Sequence, residues 1–353
     1  MGEKILMKGN EAIGEAAIQA GCRFFFGYPI TPQNELPEYM ARRLPQVGGA
    51  MVQAESEVAA INMVYGAAGA GARVMTSSSS PGISLKQEGI SYIAGAELPC
   101  VIVNMVRGGP GLGGIQPAQS DYFQTVKGGG HGDYRLLVLA PASLQEMVDL
   151  VQESFDLADR YRNPVMILGD GMLGQMMEPV EFTERPINLP EKPWATTGTA
   201  NHPGRNVINS LYLQPDKLEE HNLRLFAKYK TMAEEQVRYE AVDVESADLV
   251  MAAYGSTARI VKTAMDAAKK EGLKVGLIRP ISLWPFPSEA FAKAAQTAKA
   301  FLTVEMSAGQ MVEDVRLAVN GQKPVHFYGR VGGMIPTPED VLAEMKQILG
   351  GNV

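Results

Sequence analysis

The chain has 353 residues, of which 46% are apolar and 20% are charged, and its net charge is −7 at pH 7. This length exceeds one ordinary hydrophobic core and predicts two domains, and the composition is typical of a soluble globular protein. The acidic balance without a basic stripe argues against nucleic acid as a partner, and the 2 cysteines exclude an iron–sulfur cluster held by cysteines of this chain alone.

Short apolar segments alternate with helical ones through the first half of the chain. The pattern predicts helices at 11–21, 33–44, 56–72, 82–95 and 143–161, and strands at 22–29, 49–55, 73–79, 99–106, 135–141 and 163–171. Short apolar strands between helices predict an α/β fold with an open, mostly parallel sheet and helices on both faces.

Residues 172–245 interrupt this alternation. A proline-rich, polar segment predicts a long connection, and a charged helix follows at 214–240. Strands and helices resume after residue 245, with strands in ADLVMAAYG, LKVGLIRP, AFLTVEM and PVHFYGRVG and helices at 256–271, 287–297, 310–320 and 337–349. We therefore predict a first domain at 1–172, a linker with a surface helix at 173–245, and a second, smaller α/β domain at 246–353.

Two glutamates, Glu55 and Glu57, open the segment VQAESEVAAINMVYGAAGAGA. Glu57 lies in the first turn of a predicted helix behind Ser56, a suitable cap, and the helix dipole alone would stabilise its carboxylate by ~0.3–1 kcal/mol. Alanine and glycine line every face of that helix, which predicts a buried helix approached closely by other backbones. The carboxylate of Glu57, at the N-terminus of such a helix, would therefore be desolvated, whereas Glu55 at the strand end would face solvent.

The turn FFFGYPITP at 24–32 follows a predicted strand. Its two prolines make a stiff connection, and a stiff turn would hold Thr31 at the carboxyl end of the sheet, where ligands bind in open α/β folds. The hydroxyl-rich segment MTSSSSPG at 75–82 lacks the spacing of a nucleophile elbow. Helix capping and turn formation account for its serines.

The segment RGGPGLGG at 107–114 contains a literal GxGxxG that begins at Gly109. We reject a dinucleotide site, because Pro110 lies inside the motif and no helix opener follows it. Arg107 stands just before this loop at the end of a predicted strand. Its planar guanidinium suits a carboxylate ligand, and the alternative is a surface ion pair.

The ends and apolar runs of the chain bear on its location. The longest apolar runs fall far short of the ~20 residues that span a bilayer, and the first residues carry no signal-peptide pattern. The cysteines, Cys22 and Cys100, are far apart and form no disulfide framework. We predict a cytoplasmic protein.

Four segments together carry a family resemblance: FGYPITPQNELPEYM, the stretch from Val52 through MTSSSSPG, RGGPGLGG, and GRVGGMIPTPEDV near the end. They resemble the alpha subunit of the 2-oxoacid:ferredoxin oxidoreductases, closest to the branched-chain type that acts on 2-oxoisovalerate. The resemblance implies a thiamine-diphosphate pyrimidine-binding domain at 1–172 and a transketolase C-terminal-like domain at 246–353. It further implies oxidative decarboxylation of a 2-oxoacid with coenzyme A to acyl-CoA, CO₂ and reduced ferredoxin.

The resemblance also implies roles for single residues. Glu57 matches the glutamate that hydrogen-bonds the aminopyrimidine ring of thiamine diphosphate, and Ile30 and Ser79 join it in the cofactor contact. Thr31 would contact the substrate near its keto group. Arg107 would pair with the substrate carboxylate.

In this family the cofactor site is divided between subunits. The resemblance implies a beta subunit that brings the Mg²⁺-diphosphate motif and an iron–sulfur cluster, with a gamma subunit and a ferredoxin-like subunit completing the complex. Gly-Asp-Gly at 169–171 opens that motif in thiamine enzymes, but an Asn-Asn pair must follow to supply oxygen ligands. Here Asn201 stands alone, so we interpret the Gly-Asp-Gly as a strand-terminal turn and predict no metal ligand in this chain.

Several alternatives stay open at this point. One is a self-contained, transketolase-like thiamine enzyme, and another is a nucleotide-binding or scaffolding subunit. The substrate could be 2-oxoglutarate or pyruvate in place of 2-oxoisovalerate. A dicarboxylate would need a second cation beyond Arg107, and Lys86, Lys127 and Arg135 are available in the first domain.

Overall fold

The computed structural model describes residues 4–183, 187, 189–199 and 204–350. Strands and helices alternate up to residue 180: β1 (Ile5–Lys8), α1 (Gly9–Gln19), β2 (Phe24–Gly27), α2 (Glu35–Arg43), β3 (Ala50–Gln53), α3 (Glu57–Gly69), β4 (Val74–Ser78), α4 (Ser80–Gly95), β5 (Cys100–Val106), α5 (Tyr122–Val126), β6 (Leu137–Leu139), α6 (Leu144–Tyr161), β7 (Pro164–Asp170), α7 (Gly171–Gln175) and β8 (Met177–Val180).

A long surface helix and a second run of strands and helices follow: α8 (Pro215–Glu235), β9 (Tyr239–Val242), β10 (Leu249–Ala252), α9 (Gly255–Lys270), β11 (Val275–Pro280), β12 (Ser282–Trp284), α10 (Ser288–Ala294), β13 (Ala300–Glu305), α11 (Met311–Val319), β14 (Val325–Gly329) and α12 (Pro338–Gly350). Among the helices of the described residues, none combines the length and the apolarity needed to cross a membrane.

Seven strands of the described chain form the main sheet, in the order β12-β6-β7-β5-β4-β2-β3. All neighbours are parallel except β12, which runs antiparallel to β6. Every residue of β5 and β7 is buried, as expected for apolar strands covered on both faces. Because β3 and β4 lie on opposite sides of β2, the direction of winding reverses there, and such a reversal forms a crevice at the carboxyl ends of the strands.

The second sheet has the order β14-β13-β10-β11-β9, with β9 antiparallel at its edge. Buried hydrogen bonds join the two parts of the chain. The Gln119 side chain donates to the carbonyl of Tyr254 at 2.9 Å and accepts from the Thr257 hydroxyl at 2.8 Å, and the Tyr122 hydroxyl donates to Asp314 at 2.6 Å. Buried polar groups that satisfy each other in this way fix the relative position of the two sheets.

The predicted helices and strands of both halves are confirmed, with ends shifted by a few residues. Helix α6, for example, begins after an N-cap: the Ser143 hydroxyl accepts from the Glu146 N–H at 3.2 Å, and Glu146 accepts from the Ala142 N–H, one residue before the cap, at 2.7 Å. The predicted helix 214–240 is too long, because Tyr239–Val242 pairs with β11 as a strand. The short strands β1, β8 and β12 were not predicted.

Candidate active site

Glu57 is the first residue of α3 and only 6% of it is exposed. The Ser56 hydroxyl caps the helix by accepting from the Ala59 N–H at 3.2 Å, so this predicted cap is confirmed. Gly82 of α4 packs directly on the glutamate. A Cβ at Gly82 would lie 2.7 Å from Glu57 Oε1 and 2.1 Å from Ser78 Oγ, so only glycine lets α4 cover this carboxyl so closely.

Two buried hydroxyls at the end of β4 lack hydrogen-bond partners among the described residues. They are Ser78 Oγ and Ser79 Oγ. Ser79 occupies the N-cap position of α4 but its side chain makes no capping bond, so capping does not explain this serine as the sequence analysis predicted. An unsatisfied buried polar group costs about 1–3 kcal/mol, so both hydroxyls can take a further polar partner.

Arg107 follows β5 and its guanidinium is buried. Nη1 donates to the carbonyl of Thr31 at 2.9 Å and Nη2 to the carbonyl of Leu112 at 3.0 Å. Nε has no partner among the described residues. The alternative of a surface ion pair is wrong, because the side chain is enclosed and binds carbonyl groups of the turn after β2 and of the glycine-rich loop.

Thr31 and Ile30 are both half-buried and lie on the turn between β2 and α2. The Thr31 hydroxyl accepts from the Asn34 amide at 3.4 Å. A cavity of about 570 Å³ opens beside Thr31, with Ile115, Met172 and Ile335 in its wall. Its described wall contains no lysine or arginine.

The outer face of α3 is exposed, so the predicted burial of this helix on every side is wrong for the chain by itself. Val58, Met63 and Gly66 are exposed, whereas Ile61 and Val64 face the core. Small residues line both faces, but only one face packs on α4 and the sheet. The pattern of glycine and alanine indicates that another backbone packs closely on α3. It does not show whether that backbone belongs to this chain or to a partner subunit. Glu55 is exposed, as predicted.

The cations considered for a second carboxylate lie elsewhere. Lys86 is fully buried, and its Nζ donates to the Thr76 hydroxyl at 2.7 Å and to the Ser77 carbonyl at 3.1 Å. Lys127 pairs with Asp314. Lys127 and Arg135 line a separate cavity of about 910 Å³. The described structure therefore places these three cations outside the wall of the cavity beside Thr31.

The Gly-Asp-Gly sequence forms the turn from β7 into α7. Asp170 is buried, its Oδ1 accepts from the N–H groups of Met172 at 2.9 Å and Leu173 at 3.3 Å, and its Oδ2 accepts from the Ser256 hydroxyl. Burial raises the pKa of this carboxyl. No group of three or more His, Cys, Asp or Glu side chains in the described ranges could hold a metal ion. Asn201 lies outside the described residues.

We expect Asp170→Ala to lower the free energy of unfolding of the full chain by about 1–3 kcal/mol, because a helix cap and a buried bond to Ser256 are lost together. Asp170→Asn is the matched control and should lose less, since asparagine also caps helices. Urea unfolding with and without Mg²⁺ measures both effects. A midpoint that Mg²⁺ raises in the wild type but not in Asp170→Ala would instead assign Asp170 to a metal site.

Comparisons with known proteins point to one family. A model for the thiamine-diphosphate-binding part of pyruvate flavodoxin/ferredoxin oxidoreductases matches residues 15–245, and one for pyruvate:ferredoxin oxidoreductase core domain II matches 247–341. Ketoisovalerate oxidoreductase subunit VorB of Methanothermobacter marburgensis is 53% identical, over 98% of each chain. The 2-oxoglutarate synthase subunit KorA of Archaeoglobus fulgidus is 39% identical, over 93% of this chain and 95% of that protein.

Two solved structures have related folds. The 2-oxoglutarate:ferredoxin oxidoreductase of Magnetococcus marinus, solved with 2-oxoglutarate, coenzyme A and succinyl-CoA bound, has a TM-score of 0.87 and 30% identity over 98% of this chain. This chain spans 65% of that one. A split-gene transketolase shares the fold, with a TM-score of 0.60 and 16% identity. The predicted α/β fold of the thiamine-enzyme type is confirmed.

Proposed function

Because this chain belongs to the pyruvate flavodoxin/ferredoxin oxidoreductase family, we propose that it is the alpha subunit of a 2-oxoisovalerate:ferredoxin oxidoreductase. The complex would decarboxylate the 2-oxoacid oxidatively with coenzyme A, giving acyl-CoA, CO₂ and reduced ferredoxin. One observation carries the proposal: the buried Glu57 carboxyl lies with two unpartnered serine hydroxyls at the winding reversal of the main sheet.

These residues fit the aminopyrimidine end of thiamine diphosphate. Glycine at position 82 leaves the Glu57 carboxyl closely covered on one side, and Ser78 and Ser79 offer hydroxyls that need partners. Ile30 would add an apolar contact from the turn after β2. We propose Glu57, Ile30 and Ser79 as cofactor contacts of this chain.

The bound thiamine diphosphate would supply the carbanion-stabilising chemistry that decarboxylation requires. Glu57 would exchange a proton with a ring nitrogen of the aminopyrimidine, and its burial keeps water from competing for that proton. Arg107 would hold the substrate carboxylate through its unpartnered Nε. Thr31, whose carbonyl Arg107 already binds, would orient the keto oxygen beside it.

The cavity beside Thr31 supports a branched apolar substrate over a dicarboxylate. Ile115, Met172 and Ile335 offer apolar contacts, and Glu35 in the same wall would repel a second carboxylate. The described lining holds no cation, and Arg107, which binds the Thr31 carbonyl, is not part of it. Lys86 is fully buried and binds Thr76 and Ser77, and the other two cations considered lie at a separate cavity. Pyruvate would leave much of this wall unfilled.

The partner subunits are part of the same proposal. Relatives of this chain are named as subunits of larger enzymes. We propose that a beta subunit packs on the exposed face of α3 and brings the Mg²⁺-diphosphate motif and an iron–sulfur cluster, with a gamma and a ferredoxin-like subunit beside it. The division into 1–172, 173–245 and 246–353 and a cytoplasmic location stay predictions; both cysteines are free and buried.

Calorimetry with thiamine diphosphate and Mg²⁺ tests the divided site. We expect no binding to this chain alone and binding to the complex isolated with it. Reduction of a viologen dye by that complex should then depend on coenzyme A and a 2-oxoacid, with kcat/KM for 2-oxoisovalerate about 10–200-fold above that for pyruvate. Tight binding of thiamine diphosphate to the isolated chain would favour a self-contained enzyme. A higher kcat/KM for 2-oxoglutarate than for 2-oxoisovalerate would contradict the proposed substrate.

A further inference from the structure

The second half of the chain contributes Ile335 to the wall of the cavity beside Thr31. Ile335 is half-buried and lies between β14 and α12, whereas Ile115 and Met172 in the same wall come from the first half. Among the described residues that line this cavity, Ile335 is the only one beyond residue 175. The shape of the cavity therefore depends on how the segment before α12 is held.

A tight turn directly precedes Ile335. The Met334 N–H donates to the Val331 carbonyl at 3.2 Å and closes the turn. Its two central residues, Gly332 and Gly333, have φ angles of +67° and +90°, a region that residues with a side chain adopt only with strain. The glycine pair thus fixes the direction in which the backbone enters Ile335.

This turn, residues 331–334, packs against the glycine-rich loop of the first half. A Cβ at Gly333 would lie 2.4 Å from the Cβ of Gln116, and a Cβ at Gly108 would lie 3.3 Å from the backbone nitrogen of Gly333. A Cβ at Gly332 would meet no described atom within 4 Å. Gly333 is therefore the member of the pair that sits against the loop, and close packing there leaves the turn no room to move toward it.

The glycine-rich loop is in turn bound to the segment that carries Thr31. Arg107 Nη1 donates to the Thr31 carbonyl at 2.9 Å and Nη2 to the Leu112 carbonyl at 3.0 Å. The Gly108 N–H donates to the Gln116 carbonyl at 3.0 Å and joins the two ends of the loop. Direct contacts therefore run from Thr31 through this loop to the turn of the second half.

We propose that Ile335 is a specificity-determining residue that contacts the branched side chain of the 2-oxoacid, and that the turn 331–334 sets its position. Burying a substrate methyl or methylene group against an apolar side chain is favourable, and one such group changes kcat/KM by about 10–200-fold. Pyruvate, whose side chain is a single methyl group, gains least from this contact. The inference rests on the proposed function, which places the 2-oxoacid beside Thr31.

Urea unfolding of the full chain tests the turn without any reaction. Gly332→Ala and Gly333→Ala both place a side chain at positive φ, so both should be destabilised by strain. Gly333→Ala in addition brings a Cβ into overlap with Gln116, so its unfolding midpoint should fall clearly below that of Gly332→Ala. Equal midpoints for the two variants would overturn the role given to the turn.

Kinetics of the assembled complex test Ile335 itself. The quantity compared is the ratio of kcat/KM for 2-oxoisovalerate to kcat/KM for pyruvate, measured by dye reduction. Ile335→Ala should lower this ratio about 10-fold, mainly through a higher KM for 2-oxoisovalerate, with the KM for coenzyme A unchanged. Gly333→Ala should lower the ratio as well, because it displaces the segment that carries Ile335, whereas Gly332→Ala should leave it unchanged.

Met334→Ala is the matched control for Ile335→Ala. Met334 is the preceding residue, is 56% exposed and does not belong to the described wall of the cavity, so its variant should keep the wild-type ratio. An active wild type whose ratio is unchanged in Ile335→Ala, or falls equally in Met334→Ala, would refute this inference alone. A wild-type complex that binds no thiamine diphosphate, or reduces the dye with no 2-oxoacid, would overturn the proposed function and the role of Ile335 with it.

Discussion

Replacing Glu57 by glutamine should lower kcat of the assembled complex by about 10²–10⁴-fold, the range that positioned acid–base groups contribute. Glutamine has the shape of glutamate and can fill the space under Gly82, but it cannot exchange a proton with the cofactor ring. Assembly should survive, because the exposed face of α3 is unchanged. Dye reduction and size-exclusion chromatography of the same preparation measure the two quantities together.

Glu55→Gln is the matched control for this substitution. Glu55 lies two positions earlier and is exposed, so its variant should turn over at the wild-type rate. A scaffolding subunit would give near-normal turnover for both variants. That result would remove the catalytic role of Glu57 while leaving the fold and family of the chain in place.

Replacing Arg107 by methionine should lower kcat/KM for the 2-oxoacid about 10–150-fold, which corresponds to losing a charge-assisted hydrogen bond worth about 1.5–3 kcal/mol. The loss should appear mainly as a higher KM for the 2-oxoacid, with the KM for coenzyme A unchanged. Steady-state kinetics with each substrate varied in turn separates the two constants.

Arg135→Met controls for the loss of a guanidinium. Arg135 lines the separate, larger cavity and donates to the carbonyl of Tyr134, so its removal should leave both KM values unchanged. If the two variants raise the KM for the 2-oxoacid equally, the substrate carboxylate is not bound by Arg107. If only Arg135→Met raises the KM for 2-oxoglutarate, a dicarboxylate substrate becomes the better alternative.

The sequence predicts the parts of the fold that local pattern determines. Apolar runs such as β5 and β7 are buried on both faces, and a serine before Glu57 fixes the start of α3. The edge strands β9 and β12 could not be predicted in this way. They are short, they follow or precede prolines and polar turns, and their pairing partners lie in distant parts of the chain.

In the candidate site, too, local features could be predicted and long-range contacts could not. The burial of Glu57 could be predicted, because a carboxylate in the first turn of a helix of small residues is a local feature. The hydrogen bonds from Arg107 to the carbonyls of Thr31 and Leu112 were not predicted, because the bond to Thr31 joins residues 76 positions apart in the sequence. The close contact of Gly82 with Glu57 was not predicted either, because only the packing of α4 on α3 brings these two residues together.

Strand β12 has a consequence for how the chain can be divided. β11 ends at Pro280 in the second sheet, and β12 begins at Ser282 in the first, so one residue separates strands of two different sheets. A fragment cut after residue 245, between the two family matches, would leave β6 as an open edge able to pair with other chains. Although two family models divide the sequence near residue 246, β12 completes the first sheet from the second half of the chain, so we expect the two halves to unfold together.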